Sequence, residues 1–197
     1  VKDEVTLPGA EHIAIEFGLL GANMVISSSC SSGSYAVFEY FRKIQDMEID
    51  VCLAGGAEAP LTPFTFGAYC ALHVLSKRND SPQAASRPFD KQRDGFVLGE
   101  GGAVLILEEL EHALKRKADI YAEIIGYASN SGAYNIVMPE QEGNDAAKVM
   151  NGALKNAGIQ LEEVDYINAH GTSTGVNDKV ETKAIKKVFG EYAYKIP

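Results

Sequence analysis

An α/β fold, with helices laid over a sheet, follows from three features of this sequence. Short apolar runs of strand length alternate with segments whose apolar residues recur at helical spacing. Glycines and prolines punctuate the joins between them. The hydrophobic fraction, 46% of 197 residues, is that of a globular protein able to bury a core.

Met24-Val25-Ile26 reads as a buried strand that runs into the small-residue cluster Ser27 to Gly33. A helix follows, with Ala36, Val37, Tyr40, Phe41 and Ile44 on one face, and ends near Asp46. Val51 to Ala54 reads as a second buried strand closed by Gly55-Gly56. Residues 61 to 74 are apolar enough for a buried helix, whose start the prolines confine to the region after Pro63. Ser76 to Gly95 is polar, carries Pro82 and Pro88, and reads as a long surface or active-site loop. Ala103 to Leu107 returns to strand character, and Glu109 to Lys117 looks helical, with Leu110, Ala113 and Leu114 on one side. Tyr121 to Tyr127 is a further strand. Ala146, Val149, Met150, Ala153, Leu154 and Ala157 have helical spacing, and Gly158 sits where a C-terminal cap belongs. Val164 to Ala169 reads as a strand, and Asp178 leads a helix with inner face Val180, Ala184, Ile185 and Val188, stopped by Gly190.

No run approaches the roughly 20 apolar residues of a membrane-spanning helix, and Val1-Lys2-Asp3-Glu4 lacks the apolar block of a secretory signal. A soluble, cytoplasmic protein without a membrane partner is expected. The net charge of −9, from 27 acidic and 18 basic side chains, argues against nucleic acid as a partner. Three cysteines at 30, 52 and 70 match neither a disulfide framework nor a metal-ligand pair, so no metal is expected. An opening without methionine and an ending at Lys195-Ile196-Pro197 read as an internal piece of a longer chain.

Cys30 lies between the first strand and its helix, within Ser27-Ser28-Ser29-Cys30-Ser31-Ser32-Gly33. Small neighbours permit a sharp turn from which sulfur projects, as at a nucleophile elbow. The N-terminus of the following helix would favour thiolate and could stabilise an oxyanion. A small cysteine packed into a strand–helix junction fits the same residues, and the local pattern leaves both open. Cys52, in an apolar strand, and Cys70, in an apolar helix, read as core.

His170 follows a strand end, where α/β sheets place chemistry, and opens His170-Gly171-Thr172-Ser173-Thr174-Gly175. Its imidazole can exchange a proton near neutral pH. The run Gly99-Glu100-Gly101-Gly102 precedes a strand, whereas a dinucleotide fingerprint follows one, so no nucleotide site is read there.

Five motifs in order give the chain a family resemblance. They are Ser29-Cys30-Ser31-Ser32-Gly33, Ala54-Gly55-Gly56-Ala57-Glu58, Ser86-Arg87-Pro88-Phe89-Asp90, Asp94-Gly95-Phe96-Val97-Leu98-Gly99-Glu100-Gly101, and Asn168-Ala169-His170-Gly171-Thr172-Ser173-Thr174 with Asn177-Asp178. From about residue 10 onward the sequence resembles the elongating β-ketoacyl synthases, especially the bacterial type II enzymes that extend acyl chains on acyl carrier protein. The resemblance implies a thiolase-like fold of two related α/β halves, with residues 1–117 ending the first and 118–197 beginning the second. It implies Cys30 as the acyl-accepting nucleophile and His170 as the first of two histidines that assist decarboxylation of malonyl-carrier. Thr172 and Thr174 match contacts to the pantetheine arm, and their hydroxyls also suit loop capping. Glu181 matches an acid that pairs with an active-site lysine, while Asp178-x-x-Glu181 also resembles a helix N-terminal capping arrangement. Phe96 matches an aromatic at the active-site entrance and Tyr69 a wall of the acyl pocket, and core packing would explain either.

The implied partners are acyl carrier protein and a second copy in a homodimer, and no cofactor is implied beyond the carrier's phosphopantetheine. The family pattern continues with a lysine and a second histidine in a Lys-Ser-x-x-Gly-His segment that does not occur in residues 1–197. The isolated piece is therefore expected not to condense substrates. Ser31 and Ser32 replace bulkier residues of the family, and His73 stands where close relatives carry an arginine. Two rival readings remain: a non-catalytic chain-length-determining partner subunit, which typically lacks the cysteine, and a thiolase or initiating synthase of the same fold.

Overall fold

A computed structural model describes residues 9–197. In chain order its regular elements are α1 (Gly9–Phe17), α2 (Ser32–Gln45), β1 (Val51–Glu58), α3 (Pro63–Ala71), β2 (Gly101–Glu108), α4 (Leu110–Lys115), α5 (Asn144–Ala157) and α6 (Asn177–Phe189). Short 3₁₀ turns occupy Pro82–Ala84, Leu161–Glu163 and Gly190–Tyr194. Two compact units result. One runs to Glu58 and resumes over Gly101–Ala122, and the other combines Ala59–Glu100 with Glu123–Pro197.

In the first unit β1 and β2 pair antiparallel, Val51 opposite Glu108 and Glu58 opposite Gly101. The strand does not close at Gly55-Gly56 as expected but runs through both glycines. A Cβ on Gly55 would collide with the Ala103 carbonyl of the partner strand, so glycine here permits close backbone approach. Helix α2 crosses β1 through a second glycine contact, where a Cβ on Gly56 would lie 3.4 Å from Gly33 Cα. The predicted stripe on α2 turns inward: Tyr40 is buried and donates its hydroxyl to the Ala22 carbonyl at 3.0 Å. On α4 only Ala113 is buried, while Leu110 and Leu114 are exposed.

The second unit has its core where α5 meets α6. Ala147, Ala184, Val188 and Phe189 are buried together, with Met150, Leu154, Leu161, Val164 and Ile167 packed around them. Gly158 takes the left-handed cap conformation the sequence predicts, with φ of 71°. Ser76–Gly95 is the expected long loop, interrupted only by the 3₁₀ turn.

Several expectations are corrected. Met24–Ile26, Tyr121–Tyr127 and Val164–Ala169 are not strands. A strand exists only through its ladder, and a single bond such as Ile167 N–H to the Pro197 carbonyl at 3.2 Å makes none. Apolar patterning records what a segment is suited to lie against, and among the described residues no strand pairs with these three. Tyr121 is accordingly 99% exposed. Helix α3 begins on Pro63 itself, where a missing N–H costs nothing, behind Thr62, whose Oγ1 accepts the Thr65 N–H at 3.2 Å. It is also not a buried helix: none of its residues is buried, and Phe64 is 87% exposed. Cys70 is exposed for the same reason rather than core. Ala146 points outward, and the inner position of that turn is Ala147. Helix α1 lies outside the predicted set.

Candidate active site

Cys30 lies in the first unit, one residue ahead of Ser31, the N-cap position of α2. The predicted sharp turn is present. Ser29 has φ of +50°, Ser31 N–H donates to the Ser28 carbonyl at 3.2 Å, and Ser32 N–H donates to the Ser29 carbonyl at 3.1 Å. The hydroxyls of Ser31 and Ser32 donate back to the same two carbonyls at 2.8 and 2.7 Å. Short hydroxyl side chains that bond nearby backbone carbonyls suit so tight a turn. The result is an exposed Cys30 thiol, open to an incoming electrophile. Cys52 contrasts with it: burial pushes its thiol up to about 11, outweighing the lowering effect of a backbone hydrogen bond at Leu107. Cys52 is a poor nucleophile in this setting.

The second unit holds His170, Thr172, Thr174, Glu181, Phe96 and Tyr69. His170 is exposed, and its loop is fixed from α6 below. Glu181 accepts the His170 N–H on Oε1 at 2.7 Å and the Gly171 N–H on Oε2 at 2.9 Å, so both carboxylate oxygens grip consecutive peptide groups. Neither Glu181 nor Asp178 forms the capping arrangement suggested by their spacing. The N-cap position of α6 is Val176, without a side-chain cap, and both carboxylates reach into loops instead. Gly171 has φ of +50°, and a Cβ there would lie 3.4 Å from the Phe89 ring. Thr172 and Thr174 face each other, Oγ1 to Oγ1 at 2.8 Å, and Thr174 Oγ1 accepts the Asn177 N–H at 3.3 Å.

Tyr69 and Phe96 meet edge to face, with ring centroids 5.6 Å apart and an interplanar angle of 81°. Phe96 is held by two backbone bonds, its N–H to the Val74 carbonyl at 3.1 Å and its carbonyl to the Ser76 N–H at 3.0 Å. Its neighbour Gly95 donates to the Ser173 carbonyl at 2.9 Å, which ties the aromatic pair to the histidine loop. Sequence reasoning missed Arg87, Arg93 and Ser173 as parts of this assembly, and for Asp178 it saw only a helix start. Arg87, Ser173 and Asp178 stood in visible motifs and Arg93 between two of them, but their pairing across more than 80 positions of chain was not visible.

The chain is similar to known proteins in sequence and in fold. The family described as β-ketoacyl synthase, N-terminal domain, matches residues 6–113, and β-ketoacyl synthase, C-terminal domain, matches residues 121–197. The 3-oxoacyl-[acyl-carrier-protein] synthase 2 of Coxiella burnetii is 48% identical over 184 residues, which is 93% of this chain and 44% of that protein. A putative polyketide beta-ketoacyl synthase 1 of Streptomyces halstedii is 44% identical over 95% of this chain and 44% of its own length. Among solved structures, a type II polyketide ketosynthase bound to its acyl-carrier protein, AntDE:AntF, aligns with a TM-score of 0.93 at 43% identity, over 95% of this chain and 46% of that one. A β-ketoacyl synthase from Burkholderia phymatum aligns at 0.88 with 40% identity, over 92% of this chain and 44% of that one. The chain thus spans less than half the length of the relatives it matches. With both domain profiles matched in order, and with these structural neighbours, the chain belongs to the β-ketoacyl synthase family and has its thiolase-like α/β fold.

Proposed function

We propose that the protein containing this chain performs a decarboxylative Claisen condensation, extending a fatty-acid or polyketide chain by two carbons. The observation that carries the reading is the exposed Cys30 thiol at a tight turn ahead of α2, in a chain of this family. Cys30 Sγ attacks the carbonyl carbon of an acyl-carrier thioester, the carrier thiol leaves, and the acyl group is then on sulfur. Malonyl-carrier next loses carbon dioxide, and the electron pair of the broken C–C bond becomes an enolate. That carbanion attacks the acyl carbon, a C–C bond forms, and the Cys30 thiolate leaves with a β-ketoacyl-carrier as product. His170 assists decarboxylation and stabilises the enolate oxygen as charge develops, the logic of an oxyanion hole. Glu181 positions it through the backbone grip at 2.7 and 2.9 Å.

Thr172 and Thr174 contact the pantetheine arm in this reading, Phe96 stands at the entrance, and Tyr69 forms a wall of the acyl pocket. Acyl carrier protein is the partner, and the phosphopantetheine arrives with the substrate, so no resident cofactor or metal is assigned. A homodimer in the cytoplasm completes the proposal. Among the described residues no helix is long and apolar enough to cross a membrane. A thiol-directed acyl analogue should label the complete polypeptide at Cys30, and Cys30→Ala should abolish both label and condensation. Unlabelled wild type would overturn the enzymatic reading in favour of a non-catalytic partner subunit. Faster acyl transfer from coenzyme A than from carrier protein would instead place the protein with the initiating synthases.

A further inference from the structure

Within the serine run around Cys30, Ser32 stands apart. Its Oγ accepts the Ser28 N–H at 2.7 Å and donates to the Ser29 carbonyl at 2.7 Å, so one hydroxyl grips the chain on both sides of Ser29. Ser31 is one-sided by comparison: its Oγ reaches only residue 28, the carbonyl at 2.8 Å and the hydroxyl at 3.2 Å. Ser29, between the two groups that Ser32 holds, has φ of +50°. A residue with a Cβ resists that region, and it persists where surrounding contacts impose it.

The held carbonyl matters because of what shares its peptide. Ser29 C=O and Cys30 N–H are the two ends of one planar unit. An oxygen fixed at 2.7 Å therefore also fixes where Cys30 N–H points and where its Cα–Cβ bond leaves the chain. Ser32 N–H donates to the same oxygen at 3.1 Å, but that bond reaches nothing ahead of Ser29. The Ser28 N–H is held by the side chain, and an alanine has no acceptor to hold it with. Ser32 is the first residue of α2, and alanine is the better helix former, so α2 keeps its stability when the hydroxyl is removed.

We propose that Ser32 is a positioning residue: its two-sided hydroxyl brace holds Ser29 left-handed and so aims the Cys30 thiol at the acyl carbonyl. This rests on the function proposed above, in which that sulfur makes the attack. A carrier-bound thioester must meet sulfur from one direction, whereas a small alkylating reagent can approach an exposed thiol from many. Loss of the brace therefore slows acyl transfer while leaving the sulfur as accessible as before.

The test uses Ser32→Ala in the complete polypeptide, with an acyl-carrier thioester as donor. Expected are acyl loading of Cys30 roughly tenfold slower at saturating donor, a donor KM within about twofold of wild type, and iodoacetamide alkylation of Cys30 within about threefold. Amide protection along α2 should not change. Ser32→Thr keeps the hydroxyl and should load within about threefold of wild type. Ser29→Gly, added to the alanine variant, takes a positive φ without a side-chain penalty and should recover about threefold or more of the lost rate. Unchanged loading in Ser32→Ala overturns the proposal. So does a threonine variant as slow as the alanine one, and so does a loading loss matched by lost α2 protection, which marks a structural defect only. If wild type itself never loads acyl groups, the functional reading fails, while a crystal structure of Ser32→Ala still judges the brace: a Ser29 φ that stays near +50° refutes it.

Discussion

The helix that carries both loop-gripping carboxylates, α6, passes closely over Gly143, and replacing that glycine by alanine should unseat it. Gly143 has φ of 71°, a Cβ there would stand 2.7 Å from the Val180 carbonyl oxygen, and Ala184 Cβ and N each lie 3.1 Å away. The nearest atom belongs to the backbone of the first turn of α6 and cannot rotate aside, so the helix must shift. A left-handed alanine costs about 1–2 kcal/mol, and overpacking a filled site costs about 1–3 kcal/mol more. Gly158→Ala is the matched control, because Gly158 has the same φ of 71° and nothing within 4 Å of its added Cβ. It carries the conformational cost alone. The excess at Gly143, about 1–3 kcal/mol, corresponds to roughly five- to 150-fold faster opening. Native-state hydrogen exchange over Asn144–Ala157 and Asn177–Phe189, read by mass spectrometry in both variants, measures it. Losses equal within about 0.5 kcal/mol would refute the steric argument, since the two sites share one backbone angle.

Three further outcomes follow from the site and its supports. At pH 8 a thiol with its pKa at about 11 is only about one part in a thousand thiolate, so Cys52 should react with iodoacetamide roughly a hundredfold or more slowly than an ordinary exposed thiol; peptide mapping after timed alkylation checks this. Hydrogen bonds from Arg116, at 2.7 and 2.6 Å, and then His112, at 2.6 Å, hold the Glu108 carboxyl at about 2. The unfolded chain binds that proton near pH 4.3, so the stabilisation is complete above that pH and is lost as pH falls toward 2. Arg116→Ala should therefore flatten the acid limb of a stability-against-pH profile, with no change near neutrality in this contribution's slope. Tyr40→Phe removes the 3.0 Å bond to the Ala22 carbonyl and should cost about 1 kcal/mol, measured as a shift in urea midpoint.

Helices α2, α5 and α6 were legible because a 3.6-residue stripe is local information: Tyr40, Leu154 and Ala184 announce their faces without knowledge of what covers them. Gly158 was legible as a cap because the left-handed region selects glycine on steric grounds alone. The three absent strands and the uncovered α3 mark the opposite case. Val25, Tyr121 and Phe64 are apolar, but burial is a relation between two segments, and the sequence of one segment does not say which other segment lies on it. The site divides in the same way. Cys30 and His170 stood out from motifs, whereas the bond from Phe89 to Asp178 joins residues 89 positions apart, and no spacing rule connects them. Within the α5 stripe only the first position differs, Ala147 being the buried residue where Ala146 is expected, because two neighbouring alanines give periodicity nothing to choose between.

Glu181 holds the loop by peptide N–H groups of His170 and Gly171 and never by the imidazole. Ring and scaffold are thereby uncoupled: His170→Ala removes the imidazole while leaving its mount intact. An alanine at that place is thus a chemical deletion with little architectural confusion, and any substitute side chain installed there inherits a platform that is already built.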